Sequence, residues 1–362
     1  MIKFTFIFII LYWLLAQPKG EKAVNRYITF CAILFIAMMG LRNEAIFGDT
    51  YLYVDFFKDL NHKTLSSVIN DNDRDYSFWV VSYFLNKILS GNYTLWLLLI
   101  AVLFMLPVLV LIRRYPVEPM YSWILFIYLG FMYFTMAGLR QTVAMSFTMT
   151  GFLILLDNNR EKKARTIRFI LLISLASLFH SSALICLVGV LFLKRPFRWS
   201  TLTFYFLALL FGLFLGRGIL QDVTLFLGKY DERYMLYGNN MIGSTYTYLL
   251  QQLIVVIPSM IVLKQKFHDP FIMPFFHFSI IGLLFVSLSP FIAEMFRLSY
   301  YFSWANLVIF PMAINSLRKK APFAISFYLL FFIVYLIFIN GTAWEDYYFW
   351  FEDTRHLIQQ ML

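Results

Sequence analysis

Four arginines at or beyond the ends of apolar segments could bind an anion such as a pyrophosphate. They are Arg42, Arg140, Arg233 and Arg297. A guanidinium presents a planar fork of donors that matches the oxygens of a phosphate or pyrophosphate. Gln141 follows Arg140 directly and adds a second polar side chain there. This pattern predicts an anion site built from arginine side chains.

Each of these arginines also has a plainer interpretation. Arg42 could extend its side chain along apolar surface to the membrane boundary, and Arg140 could reach lipid headgroups. Arg297 could pair with Glu294, which precedes it by three residues and would share a helix face with it. We expect Arg140 to be functional, because Gly138 and Gln141 beside it favour a small polar pocket over a lipid-facing rim.

Two residues have side chains that could accept a proton. His180 lies in a serine-containing break of an apolar run, and an unperturbed imidazole titrates at about pH 6.5. A lone histidine on an apolar helix is more often a packing residue. Asp49 lies between Gly48 and Thr50, where a carboxylate or hydroxyl could instead cap the next helix. The sequence leaves the choice of base open.

Three tyrosines, Tyr230, Tyr234 and Tyr237, recur at i, i+4 and i+7 and would share one face of a helix. Tyrosine rings stack on sugars, but they also anchor proteins at membrane interfaces. No nucleotide-binding glycine motif, metal-ligand cluster or Ser/His/Asp spacing is present in the sequence, and we expect no cofactor.

Composition indicates that lipid surrounds these residues. The 362 residues are 61% hydrophobic and 14% charged, with a mean hydropathy of +0.72. One soluble core cannot bury that much apolar surface. The net charge of +10 does not indicate nucleic acid, because the basic residues form short clusters typical of cytoplasmic loops. Cys31 and Cys186 lie in apolar windows and are interpreted as packing residues.

Apolar segments long enough to enter a bilayer recur along the chain. We predict an all-α fold in one polytopic transmembrane domain spanning residues 1–362. The predicted segments are 2–16, 27–41, 93–112, 120–137, 141–156, 167–193, 201–216, 245–263, 271–288, 291–314 and 323–339.

Basic clusters set the predicted topology. Residues 167–193 have basic residues at both ends, so both ends should face the cytoplasm and the segment should form a helical hairpin with its tip near His180. Counting two arms gives about twelve membrane segments, with both termini outside. The predicted outer regions are 42–92, 217–244 and 341–362, and the first contains two amphipathic stretches, 50–60 and 76–89.

The ordered motifs resemble those of the EpsG family of Wzy-type polysaccharide polymerases, over most of the chain. The matching residues are Arg42 with Gly48-Asp49-Thr50 and Tyr53, Leu139-Arg140-Gln141, residues 178–183 around His180, Tyr230 with Tyr234, and Arg297 with Tyr300-Tyr301. One departure is the run Asp73-Arg74-Asp75, where family members usually have a Glu-Pro-Gly-like element.

The resemblance implies a membrane glycosyltransferase of GT-C-like architecture. Such an enzyme transfers a growing glycan from an undecaprenyl-pyrophosphate donor to a second lipid-linked repeat unit, at the outer face of the bacterial cytoplasmic (inner) membrane. Its partners would be the donor and acceptor, membrane lipids and a chain-length regulator. The resemblance adds Tyr53 and Tyr301 to the predicted binding residues, beside the arginines, Gln141, Tyr230 and Tyr234, with His180 and Asp49 as candidate bases.

Two other function classes fit the composition. A transporter or flippase of lipid-linked saccharides should carry polar residues through the depth of the bundle and some internal repeat. Here the ionisable residues are predicted to concentrate at the outer side, and no repeat is found. An acyltransferase would place an acidic residue beside its catalytic histidine, which His180 lacks in the sequence.

Overall fold

The computed structural model describes residues 2–46, 48–70, 76–115, 118–157, 161–192, 197–229, 246–291, 295–318, 326, 328–332, 349 and 351–352. Within these residues the regular elements are helices, and an isolated β-bridge joins Arg42 to Phe349. This confirms the all-α part of the predicted fold. The count of about twelve crossings and the GT-C-like architecture stay predictions.

Contacts between Cα atoms divide the chain into two compact units. The first unit comprises Met1–Leu184 and Ser326–Leu362, and the second comprises Ile185–Ile325. The helices of the first unit are α1 (Ile2–Ala16), α2 (Glu21–Gly40), α3 (Gly48–Asp59), α4 (Leu65–Asn70), α5 (Tyr76–Ile88), α6 (Tyr93–Arg114), α7 (Pro119–Tyr128), α8 (Phe131–Ala137), α9 (Leu139–Leu155) and α10 (Lys162–Phe179).

The second unit contains most of the remaining helices. A 3-10 helix, Ser181–Val188, leads into it from the end of α10. Its α-helices are α11 (Gly189–Phe192), α12 (Trp199–Gly228), α13 (Thr247–Val262), α14 (Met273–Leu288), α15 (Met295–Ser303) and α16 (Asn306–Leu317), with a short 3-10 helix, Lys264–Lys266, after α13.

Two described helices, α2 and α6, are each long and apolar enough to cross a membrane. The pair α7 and α8 would make a third span if counted together, although it bends by 49° at the break between them. Gly130 lies at that break with a φ of 79°, a left-handed conformation that glycine adopts without strain. Further apolar helical stretches of 10–17 residues, among them Ser200–Gly212 within α12, do not pass the same test of length, so the predicted number of crossings stays a prediction.

Several predicted segments differ from the observed helices. The predicted segment 120–137 is broken between α7 and α8, and 291–314 is broken between α15 and α16. Helix α12 continues to Gly228, so the beginning of the predicted outer region 217–244 is helical. Most of the predicted segment 323–339 lies outside the described residues.

The first unit has an aromatic and aliphatic core. Phe35 of α2 packs against Trp123 and Phe126 of α7, with ring centroids 5.3 and 5.1 Å apart. Gly40 allows α2 to approach α6 closely, because a Cβ atom there would lie 2.5 Å from Leu98. This packing fixes the end of α2, from which Arg42 follows.

Candidate functional site

Arg42 joins three elements of the first unit. Its side chain is 1% exposed, and its guanidinium donates hydrogen bonds to the carbonyl oxygens of Met39 and Met136, the latter at 2.7 Å. It also lies 3.4 Å from the hydroxyl of Thr50. A buried charge is tolerated when donors and acceptors surround it. The contacts of Arg42 therefore favour a role in holding the site together over direct contact with substrate.

Thr50 completes this junction from α3. It is fully buried, and its hydroxyl donates to the same Met136 carbonyl at 3.0 Å. Met136 lies at the end of α8, and Gly138 separates that helix from the first turn of α9. Arg42 and Thr50 thus position the amino terminus of α9, where Arg140 and Gln141 lie.

Arg140 lies in the first turn of α9 and is partly exposed. Its Nε donates to the hydroxyl of Tyr53 at 3.3 Å, and the guanidinium carbon lies 6.0 Å from the centre of the Tyr53 ring. The amino terminus of a helix carries a partial positive charge, so the side chain and the helix end reinforce each other toward an anion. The structure therefore places the guanidinium of Arg140 in the first turn of α9, against Tyr53, and the binding of a phosphate group there stays a prediction.

Tyr53 belongs to an aromatic cluster that links α3 to α5. Its ring stacks on Trp79 at 5.8 Å and meets Phe78 edge-on at 5.9 Å. Phe56, one turn further along α3, lies 4.1 Å from Trp79 between ring centroids. The predicted amphipathic stretches 50–60 and 76–89 are thus helices α3 and α5, and their aromatic faces hold Tyr53 against Arg140.

Asp49 lies in the first turn of α3, beside Thr50. Its side chain is exposed, unlike the buried hydroxyl of Thr50. Because Tyr53 is one turn further along α3, Asp49 lies on the same helix end as the contact to Arg140. The exposure of Asp49 is compatible with its predicted role as a base, which stays a prediction.

His180 ends α10. Its backbone is extended, with φ of −158° and ψ of 114°, and the 3-10 helix starts at the next residue. The predicted tip of the hairpin thus coincides with a real helix end. Whether the two arms return to one side of the membrane stays a prediction.

Packing relates His180 to Arg140. Helices α9 and α10 are antiparallel, since Phe152 contacts Phe169 at 5.1 Å and Phe147 stacks on Phe179 at 5.5 Å. His180 therefore follows the α10 residue that packs nearest the amino-terminal end of α9. Arg140 precedes Phe147 by about two turns, roughly 10 Å along the axis. Phe147 lies near the middle of α9, so His180 is about two turns farther along α9 than Arg140.

The other predicted binding residues fall into three groups. Gln141 is buried in the first turn of α9. Arg297 is exposed and Tyr301 is 1% exposed, both on α15 of the second unit. Tyr230, Arg233 and Tyr234 lie outside the described residues, as does Glu294. The contacts therefore join Arg42 to Thr50 and Arg140 to Tyr53. Asp49 lies beside Thr50 on α3, and Gln141 lies beside Arg140 on α9.

A short C-terminal segment also reaches this junction. Asn43 donates from its amide to the carbonyl oxygens of Phe349 at 3.3 Å and Glu352 at 2.9 Å. The carboxylate of Glu352 in turn accepts the backbone N–H of Phe349 at 2.9 Å. These bonds and the Arg42 to Phe349 bridge hold the segment against the residues that follow α2.

The sequence interpretation missed Asn43 and Trp79. Asn43 directly follows Arg42, but nothing local predicts a partner more than 300 residues away, at Glu352. Trp79 lies in an amphipathic stretch whose aromatic residues were the available signal. Among the described residues, no group of three or more His, Cys, Asp or Glu side chains could hold a metal ion.

Comparison with known proteins gives one match. The model of the EpsG family matches residues 25–354, which is most of the chain. The matched region contains every residue of the junction described above. No curated protein and no solved structure matches the chain significantly.

Proposed function

Since the chain belongs to the EpsG family, a Wzy-type polymerase-like family with a polysaccharide polymerase-type function, we propose that it joins lipid-linked repeat units in the bacterial cytoplasmic membrane. The donor is a glycan on undecaprenyl pyrophosphate, and the acceptor is a second lipid-linked repeat unit. The reaction takes place at the outer face. Membership in the family supports the class of reaction, and the junction around Arg140 supports the mechanism.

The observation that carries the mechanism is the fixed orientation of Arg140. Tyr53 accepts a hydrogen bond from its Nε, and the aromatic cluster with Trp79 holds Tyr53 in turn. A donor that is already aimed at developing negative charge needs no reorganisation during reaction. Arg140 and the amino terminus of α9 would therefore stabilise the pyrophosphate as it leaves.

The transfer itself needs one base. The oxygen of an acceptor hydroxyl attacks the anomeric carbon of the donor glycan, and its proton passes to the base. The bond between that carbon and the phosphate oxygen breaks, and undecaprenyl pyrophosphate departs with the electron pair. Asp49 is the base that the geometry favours, because it is exposed on α3 one turn before Tyr53, which contacts Arg140. His180 is the second candidate, deeper along the same helix pair.

The transporter or flippase alternative predicts no new glycosidic bond. The EpsG match supports a polymerase over this alternative. A direct test distinguishes the two: the purified protein is mixed with an undecaprenyl-pyrophosphate-linked repeat unit from its own bacterium, and the glycan products are separated by length. A polymerase yields a ladder of longer glycans together with free undecaprenyl pyrophosphate.

Arg140→Lys is the matched variant, because lysine keeps the charge but loses the planar fork. We expect at least about a tenfold loss of chain extension with normal membrane insertion, since one aimed donor contributes about 100-fold or more in other enzymes. Arg113→Lys, at the opposite end of the neighbouring helix α6, is the control. Normal extension by Arg140→Lys would leave Arg140 as a headgroup anchor and remove the proposed pyrophosphate role.

A further inference from the structure

The second unit contains a cavity of about 450 Å³ between α12, α13 and α14. Its walls are almost entirely apolar and include Leu209, Leu253, Val256 and Leu283. The candidate site of the first unit does not use these residues. In a membrane protein, a cavity of this composition suits a hydrocarbon chain better than water, because water needs polar partners.

The side chains at the mouth of the cavity are exposed. Phe206 is 56% exposed, Ile257 is 48% exposed and Ile261 is 64% exposed, and all three line the cavity. Large apolar side chains that remain exposed on apolar helices are typical of surfaces that face lipid. The cavity therefore opens toward the bilayer, from which a lipid chain can enter.

An aromatic cluster gathers three helix termini at one end of the cavity. Phe197 precedes α12, Phe267 follows α13, and Phe276 lies in the first turn of α14. The Phe197 ring lies 4.8 Å from Phe267 and 5.4 Å from Phe276. Nearby, the hydroxyl of Tyr205 and Nδ1 of His277 are hydrogen-bonded at 2.9 Å. The start of α12, the end of α13 and the start of α14 thus form a common end.

Basic residues surround this end. Arg198 is exposed, and its carbonyl accepts the N–H of the cavity-lining Leu202, so it precedes the cavity by one turn. Lys264 and Lys266 are exposed just beyond Met260 and Ile261, which line the cavity. The acidic residue of the same loop, Asp269, accepts the backbone N–H of Phe271 at 2.9 Å. The cavity therefore has an apolar interior and a cationic end.

We propose that this part of the second unit binds one anionic phospholipid, with an acyl chain in the cavity and the headgroup phosphate beside Arg198, Lys264 and Lys266. Clusters of basic residues next to apolar helices attract anionic headgroups, each contributing on the order of 1 kcal/mol near the surface. The charge distribution of the sequence places this end at the cytoplasmic face. In the proposed function the undecaprenyl-pyrophosphate donor has its pyrophosphate at the outer face, so we do not expect it to be the occupant.

Native mass spectrometry of the purified full chain tests the headgroup contact. The protein is transferred from micelles containing equal amounts of phosphatidylglycerol and phosphatidylcholine into lipid-free detergent, and retained lipids are counted. We expect preferential retention of phosphatidylglycerol. In the double variant Lys264→Gln, Lys266→Gln this retention should fall by about 30-fold, as expected for the loss of two basic contacts. The control is Lys19→Gln, Lys22→Gln, which removes two exposed lysines at the start of α2.

A second pair of variants tests the cavity. Leu253→Trp fills it, whereas Leu250→Trp adds the same ring to a 58% exposed position of the same helix outside the cavity lining. We expect the first variant to lose phosphatidylglycerol and the second to retain it. Thermal unfolding of each variant is measured as well, to check that both are folded.

Three results would overturn the proposal. Equal retention of phosphatidylcholine would show that the headgroup charge is not recognised. Wild-type retention in the lysine double variant or in Leu253→Trp would show that the lipid binds elsewhere. Displacement of phosphatidylglycerol by an equal amount of undecaprenyl phosphate would identify a polyprenyl chain as the occupant.

Discussion

The hydroxyl of Tyr53 accepts a hydrogen bond from Nε of Arg140, which joins α3 to the first turn of α9. The two residues are 87 positions apart in the sequence. Tyr53 is held by Trp79, and α9 is held by the contacts of Arg42 and Thr50 with Met136. The orientation of Arg140 is therefore determined by residues of several helices, and each can be changed separately.

Replacing Tyr53 with phenylalanine removes the hydroxyl but keeps the ring that stacks on Trp79. Hydrogen bonds to charged groups contribute about 1.5–3 kcal/mol, so we expect Tyr53→Phe to reduce chain extension by about tenfold or more. Protein level should remain normal. Tyr51→Phe, on the same helix, is the control. Wild-type glycan length in Tyr53→Phe would show that Arg140 does not need this partner.

The buried junction should matter for folding as well as for activity. Thr50→Val replaces a buried hydroxyl with a methyl group and leaves the Met136 carbonyl with one fewer donor. We expect a destabilisation of about 1–3 kcal/mol, measured as a lower thermal unfolding midpoint in detergent. Thr166→Val is the comparison, because the Thr166 hydroxyl bonds a carbonyl of its own helix. Equal midpoints for the two variants would refute a clamping role for Thr50.

Arg42→Lys tests the same junction from α2. Lysine keeps the charge but cannot reach two carbonyls in the geometry of a planar fork. We expect reduced stability together with reduced polymerisation, in contrast to Arg140→Lys, which should lose polymerisation alone. If the variant polymerises poorly at wild-type stability, the result would instead support the prediction that Arg42 binds the substrate directly.

The base is tested by a pair of variants. If Asp49 takes the acceptor proton, Asp49→Asn should abolish chain extension and let single lipid-linked repeat units accumulate, because Arg140 still binds the donor. His180→Ala should then retain polymer. The opposite result would assign the base to His180 and leave Asp49 as an acidic residue that stabilises the first turn of α3. Comparable losses in both variants would mean that one accepts the proton and the other positions the hydroxyl.

Cysteine labelling tests the predicted hairpin of residues 167–193. In a background with Cys31 and Cys186 replaced by alanine, single cysteines are placed at Lys163 and Arg198. Both should react with an impermeant reagent from the cytoplasmic side, since both basic flanks carry the cytoplasmic charge signal. Labelling from opposite sides would show that the segment crosses the membrane once and that His180 lies deeper than expected.

The positions of several helices could be predicted from the sequence, because the length of an apolar run and the basic residues beside it are local properties of the chain. The predicted segment 2–16 coincides with α1, and 93–112 lies within α6. The break at Gly130 had a visible signal in the glycine itself. The break between α15 and α16 had no such signal. Trp304 lies at that break, in an apolar run that predicts a continuous helix.

The candidate site could be predicted only in part. Arg140, Asp49 and Tyr53 are polar residues at helix ends, and such residues are conspicuous in an apolar chain. The groups that hold these residues in place are not conspicuous in the sequence. The backbone carbonyl of Met136, for example, could belong to a residue of any type. In the second unit, Asn306 donates to Gln252 at 2.8 Å and accepts from Ser279 at 2.5 Å. Because three separate helices contribute to that buried network, the pattern of residues along any one helix cannot predict it.

The C-terminal contact with Asn43 sets the order in which the protein can be assembled. Asn43 and Glu352 are 309 positions apart, and the first unit closes only when residues beyond 325 return to it. Contacts between such distant positions form late, because a long loop must be closed first. On the ribosome, helices α3 and α9 emerge long before Phe349 and Glu352. A nascent chain therefore carries Arg140 and Tyr53 in the membrane without this last contact, and the junction is completed when synthesis is nearly finished.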